Sequence, residues 1–342
     1  KRFGFGEEEL RPYFPLPHVL QGLFDHAARL FGLKFVRGED YPVYHEEVEV
    51  YEIRSASDDS HLAVFYMHFH PRPGKRSGAW EMTYRSQGLQ EGDIRRPVVS
   101  IVCNFTRSEG DAPALLNFDE VVTLFHEFGH ALHDAMAEGT YPSLAGTGVR
   151  WDFVELPSQL MENWCYTDET LGFLSSHSQT GETLPADLRD KLRRSAAFMA
   201  GWRGLKQVSY ATLDMDWHQT NPENIADVGS FEDQATESTR LFPRLAGPFS
   251  CHFGHIFAGG YTAGYYSYKW AEVLDADAFE AFMEEGLYNP ETGKRFRDCI
   301  LAKGGSEAPD KLYRDFRARD ADPRALLRRE GLIGNNDAAK AS

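Results

Sequence analysis

Two histidines four residues apart, with a glutamate directly after the first, stand in the run Phe125-His126-Glu127-Phe128-Gly129-His130. On a helix, positions four apart share a face, so both imidazoles could meet one ion with Glu127 beside them. H-E-x-x-H on a helix is a zinc-site pattern in which the histidines hold the metal and the glutamate is a general base. The alternative is two chance histidines on a buried helix. Two imidazoles are also too few, because catalytic zinc takes three protein ligands and a water. A third histidine at metzincin spacing would need Gly at 133 and His at 136, where this chain has His133 and Met136. The next source of a carboxylate is Trp151-Asp152-Phe153-Val154-Glu155. Asp152 and Glu155 also fit a capping box opening a second helix, so spacing leaves Glu155 open between ligand and cap. Glu162 lies seven residues on and shares its face. It could orient His126 or His130 from behind, as ligating imidazoles usually require, or be a solvated helix acid.

The chemistry such a site offers is hydrolysis. One zinc ion per chain, bound by two neutral imidazoles and a carboxylate, would lower the pKa of a water from about 16 to about 7. Glu127 could take that water's proton and pass it to a leaving amine. The oxyanion formed would gain from an added hydrogen-bond donor. Tyr261, Tyr265 and Tyr268, in Gly259-Gly260-Tyr261-Thr262-Ala263-Gly264-Tyr265-Tyr266-Ser267-Tyr268, supply such donors. Their spacing predicts a single face of a helix over 260–274, which also fits an aromatic stripe packed in the core. The preceding glycine pair suggests a mobile loop near a cleft.

The elements that must position these groups follow from periodicity. Val19, Leu20, Leu23, Phe24, Ala27, Leu30 and Phe31 recur at helical spacing within 7–36. Strands are expected around Val48–Tyr51, over Leu62–His70 and over Val98–Cys103. Helices are expected over 119–137, 152–166, 186–217, 231–241, 260–274, 277–286, 292–302 and 309–318, with Asn117 or Asp119 capping the first. A small sheet followed by a helical body is an α+β order, mainly helical, rather than βαβ alternation. We expect residues 1–117 to form an N-terminal helix and small sheet, 118–333 the helical zinc-site body, and 334–342 a frayed tail.

Composition bounds the partners. The net charge of −16, from 36 basic and 52 acidic residues, argues against nucleic acid or an anionic membrane as the main partner. No run approaches 18 consecutive apolar residues. Cys103, Cys165, Cys251 and Cys299 show no paired spacing and read as free thiols of a reducing, cytoplasmic compartment. The opening Lys1-Arg2-Phe3-Gly4-Phe5-Gly6 is neither an initiator methionine nor a signal peptide. It reads as a piece of a longer chain, so a periplasmic or organellar address stays open.

Taken as an ordered set, the motifs resemble the thimet oligopeptidase family of zinc metallopeptidases, which includes oligopeptidase A and peptidyl-dipeptidase. The set runs through Glu8 to Leu16, Ser77-Gly78-Ala79-Trp80 and Cys103-Asn104-Phe105. It continues through Phe125 to His133, Asp152 to Trp164, and Phe253 to Trp270. The similarity covers residues 7–332. It implies a zincin-like catalytic domain, with Glu155 as third zinc ligand. It implies substrate and transition-state contacts from Tyr261, Tyr265 and Tyr268, and a substrate-binding role for His255. One extra residue separates His255 from the Gly259-Gly260 pair. Where relatives often show FY-x-D, this chain has Phe65-Tyr66-Met67-His68, and His68 and His70 either alter a subsite or are exposed strand histidines. The resemblance further implies a helical N-terminal half, absent here, that walls a channel admitting short peptides. Three functions follow: a zinc oligopeptidase, a peptidyl-dipeptidase releasing C-terminal dipeptides, or a metal- and peptide-binding fragment inactive without that half.

Overall fold

The computed structural model describes residues 6–108, 110, 112–243 and 247–334. The chain opens with α1 (Glu7–Leu10) and α2 (Leu16–Phe31). Gly32, in the left-handed conformation at φ +63°, ends α2. The chain therefore turns into strand β1 (Leu33–Arg37), where helical periodicity had suggested more helix. Next come β2 (Glu49–Ser55), β3 (His61–His68), β4 (Trp80–Arg85), the short hairpin β5 (Gly88–Gln90) and β6 (Asp93–Arg95), and β7 (Val98–Val102). The main sheet has the order β1-β2-β3-β7-β4. Its pairs are antiparallel except β3 with β7, where Val64 faces Val98 and His68 faces Val102.

The helical body follows: α3 (Phe118–Ala135), α4 (Trp151–Glu162), α5 (Asp168–Leu174), α6 (Ala186–Ala196), α7 (Ala200–Gln219), α8 (Val228–Ala235) and α9 (Gly254–Phe257). It ends with α10 (Tyr266–Glu285), α11 (Pro290–Phe296), α12 (Pro309–Arg317) and α13 (Arg324–Arg329). Mainly helical with a small sheet is thus the observed class. Several expected boundaries move. The 186–217 stretch is two helices, because Met199 takes φ +55° between α6 and α7. Helix α8 starts at Val228, where the Asp227 side chain accepts the Ser230 N–H at 2.7 Å. The 260–274 and 277–286 segments fuse into α10, whose first residue is Tyr266. Helix α4 passes into a 3₁₀ turn over Asn163–Tyr166, and α11 into a π turn over Arg297–Leu301. The expected frayed tail lies outside the described residues apart from Gly334.

One core joins sheet and helices. Phe128 of α3 is fully buried, with its ring 5.9 Å from both Phe35 and Phe65 of the sheet. Burying such a side chain contributes roughly 1.5–3 kcal/mol. Trp164, just past α4, is also fully buried and sits 4.9 Å from Phe279 and Phe282 of α10. These contacts hold α3, α4 and α10 against one another. The four cysteines are free thiols, two of them buried. His68, expected at the surface, is buried instead (1% exposed) at the end of β3.

Candidate metal centre

Helix α3 begins with a complete capping box. The Asn117 side chain accepts the Glu120 N–H at 2.8 Å, and the Glu120 carboxylate accepts the Asn117 N–H at 2.9 Å. Its apolar stripe then faces the sheet, which leaves His126 and His130 on a neighbouring face with ring centroids 5.0 Å apart. Between them sits Gly129. A Cβ at that position would lie 2.5 Å from the Pro157 carbonyl oxygen and from the Ser158 Cα. Only glycine lets the two backbones come this close.

That approach brings Glu155 to the two histidines. Helix α4 starts at Trp151 with Arg150 as its cap, so Glu155 lies inside the helix and is not part of a capping box. Its side chain is 2% exposed. Its Oε2 lies 3.3 Å from His126 Nε2 and 3.1 Å from His130 Nε2. Two ligands about 2.1 Å from a tetrahedral ion stand about 3.4 Å apart, so the three atoms fit one zinc-sized ion. The Ser158 hydroxyl donates to Glu155 Oε2 at 2.9 Å, and the Tyr261 hydroxyl donates to Oε1. Glu162, two turns further along α4, meets His126 Nδ1 at 2.7 Å. That contact fixes the ring so that Nε2 points inward.

Burial disfavours ionising Glu155, but His130 and His126 outweigh it and hold its carboxyl well below the usual range. Burial also opposes charge on His126, yet hydrogen bonds to Glu155 and Glu162 raise its pKa well above the ordinary value. Glu127 is buried (6% exposed). Burial raises its pKa against the lowering pull of His126, His130 and the Glu81 backbone N–H.

The tyrosines arrive differently from the expectation. Tyr261 precedes α10 in a turn through Gly260 (φ +89°) and Ala263 (φ +50°), so the three do not share one helical face. Their rings nevertheless gather: Tyr261 to Tyr268 is 4.7 Å and Tyr265 to Tyr268 is 5.1 Å. His255, on α9, joins them at 5.9 Å from Tyr265 and 6.2 Å from Tyr268. Burial pushes the Tyr265 phenol up to about 12, and burial with the nearby Glu155 charge raises Tyr261 and Tyr268 further. All three phenols therefore keep their protons at neutral pH and can donate.

Asp214 was not singled out in the sequence. It is fully buried on α7, and its two carboxylate oxygens accept the Ala263 N–H at 3.0 Å and the Tyr265 N–H at 2.8 Å. His218, one turn on, places Nδ1 2.8 Å from the same carboxylate. The available signal was an acid and a histidine at i, i+4 within an apolar helical stretch. Gln159 adds a second tether, donating to the Tyr268 carbonyl at 3.2 Å. A cleft of about 1020 Å³ opens beside His126, Glu162, Tyr265 and Tyr268, with Lys269 and Arg328 also on its lining.

This is a mainly helical protein whose two central helices present a two-histidine, one-glutamate group able to hold a metal ion. Residues 1–332 match Peptidase family M3, and the chain belongs to that family. It is 45% identical over 354 residues to organellar oligopeptidase A, chloroplastic/mitochondrial, of Arabidopsis thaliana, covering 99% of this chain and 44% of that protein. It is 40% identical over 338 residues to dipeptidyl carboxypeptidase of Salmonella typhimurium, covering 97% and 49%. The chain thus spans about half the length of the relatives it matches. A solved structure described as "The Structure of CHT" superposes with a TM-score of 0.53 at 10% identity, covering 96% of this chain and 62% of that one, a likeness of fold. Among the described residues no helix is long and apolar enough to cross a membrane.

Proposed function

We propose that this chain is the catalytic half of a zinc peptidase acting on short peptides. The observation that carries the reading is the convergence of His126 Nε2 and His130 Nε2 on Glu155 Oε2, at 3.3 and 3.1 Å. Zinc held there would polarise the scissile carbonyl and acidify a water molecule. The chain's own groups do the rest. Glu127 accepts the proton of the attacking water and returns it to the departing amine. Tyr268, protonated and beside the ligand group, donates to the oxyanion, and Tyr261 joins it when its hydroxyl, which donates to Glu155 Oε1 at rest, swings to the substrate. Tyr265 and His255 border the same space and orient the peptide. Glu162 holds the His126 ring. His126, His130 and Glu155 are the ligands in this reading.

Glu127→Gln tests it. The variant should bind as much zinc as the unaltered chain while cleavage of a short fluorogenic peptide falls by roughly 10²–10⁴. Metal-free protein that cleaves as fast as the zinc-loaded form would sink the reading. Likeness to a dipeptidyl carboxypeptidase supports a second mode, release of C-terminal dipeptides. Mass spectra of the products from one ten-residue peptide separate that from internal cleavage. The half-length match supports a third reading, in which turnover needs a further segment. Brisk cleavage by this chain alone rules that out.

A further inference from the structure

A second cluster of ligand-type side chains lies at the far end of β3 and shares no residue with the first. The turn before β2 carries His45 and Glu47, and the last residue of β3 is His68. One ligand atom from each lies within 4.8 Å of the others. His68 is 1% exposed, and among the described residues its Nε2 has no hydrogen-bond partner. Buried polar atoms are rarely left without a partner, so this nitrogen is open to a ligand.

The distances say which kind. His68 Nε2 is 3.8 Å from Glu47 Oε2, and His45 Nδ1 is 4.0 Å from the same oxygen. Both exceed a hydrogen bond. Both are close to the spacing of about 3.4 Å between two ligands of one tetrahedral ion. The His45 and His68 rings lie 5.2 Å apart at 18°. His45 is only partly buried on its turn, and its Nδ1 accepts the Glu47 N–H at 3.2 Å, a bond the ring exchanges for the ion when it ligates. The carboxylate is already held from outside, since Arg107 donates to Oε1 at 2.5 Å and to Oε2 at 2.9 Å. Ligating carboxylates are commonly fixed in this way. Lys75 opposes a cation here, but its ammonium is turned to the His68 and His70 carbonyls at 3.2 and 2.7 Å.

We propose that His45, Glu47 and His68 bind a second divalent transition-metal ion, of the zinc or cobalt class, that fastens the turn before β2 to the end of β3. Two imidazoles and one carboxylate select that class over magnesium or calcium, which prefer all-oxygen sites.

The test is metal stoichiometry. Metal-free full chain is titrated with Zn²⁺ against a chromophoric chelator, and separately with Co²⁺ followed by its visible absorption. Two equivalents are expected. His68→Asn, and independently His45→Ala on its partly exposed turn, should weaken one equivalent by about 100-fold or more, beyond the roughly 10–100-fold that loss of an outer partner costs. Both should leave the other equivalent intact, which also shows that the variants fold. Glu155→Gln should remove only that other equivalent. Uptake of a single equivalent that Glu155→Gln abolishes would overturn the second site. So would two equivalents surviving in both His68→Asn and His45→Ala. A single equivalent lost in His68→Asn but kept in Glu155→Gln would uphold this site and sink the first.

Discussion

The α3–α4 pair and the tyrosine segment 253–268 flank the same cleft and are built on opposite principles. The helix pair is regular and buried, and its geometry is set by backbone contact at one glycine. The tyrosine segment is irregular, contains a non-glycine residue at positive φ, and leaves Phe257 and Tyr266 half exposed. It is tied back by side chains, Asp214 from α7 and Gln159 from α4. A ligand group needs fixed spacing, which packed helices supply. Groups that meet a substrate can sit on a loop, provided a few buried hydrogen bonds define its rest position.

That contrast can be broken from either side, and the largest effect is expected at Gly129. Gly129→Ala would drive a methyl group into the Pro157–Ser158 backbone. We expect a stability loss of about 3 kcal/mol by denaturant melt and zinc affinity down by at least about 100-fold by equilibrium dialysis. Unchanged zinc binding would show that the helix spacing does not set the ligands. Asp214→Ala attacks the other region. It should leave zinc binding by His126, His130 and Glu155 unchanged and lower kcat by about 10²-fold, as for a lost oxyanion donor. A parallel loss of zinc would mean the two regions are not separable. Glu162→Gln keeps an acceptor for His126 Nδ1 but removes its charge, so zinc affinity should fall by about 10-fold, within the range for outer partners.

The last effect concerns pH. Burial and the neighbouring Asp134 charge raise the Glu81 carboxyl far above the usual range. The folded state therefore binds a proton there that the unfolded chain has released. Stability from this group is full at low pH and declines as pH rises above the ordinary carboxylate range. Glu81→Gln should flatten the decline of Tm between pH 5 and 8, by no more than about 1.4 kcal/mol per pH unit. An unchanged slope would remove Glu81 from the account.

Much of the helix pair could be read in advance, and the reason is physical. His126, His130, the apolar stripe of α3 and the Asn117 cap are local properties of one helix, so periodicity carries them. Glu155 was ambiguous because capping and ligation differ only in where a second helix crosses the first, a tertiary fact. The tyrosines were visible as residue types, but their arrangement was not. Positive φ at Ala263 and its hydrogen bond to Asp214 join positions 49 residues apart. In the sheet, β2, β3 and β7 follow from their apolar runs. Strand β1 was absorbed into the preceding helix because Phe35 and Val36 prolong its apolar pattern past Gly32. Strand β4 went unread because Met82 (46%) and Tyr84 (50%) are exposed despite their alternation, so no buried run marks it. His68 was misplaced because a terminal strand histidine looks solvated until the turn at His45 closes over it.

The sheet order also imposes a schedule on synthesis. Strand β4 is made before β7 yet pairs only with it, so its hydrogen bonds stay open on the ribosome until the later strand slides in beside β3. The histidine pair follows β7 within about thirty residues, and its glutamate partner within about thirty more. A nascent chain therefore has the strands of its sheet in hand before His126, His130 and Glu155 can come together.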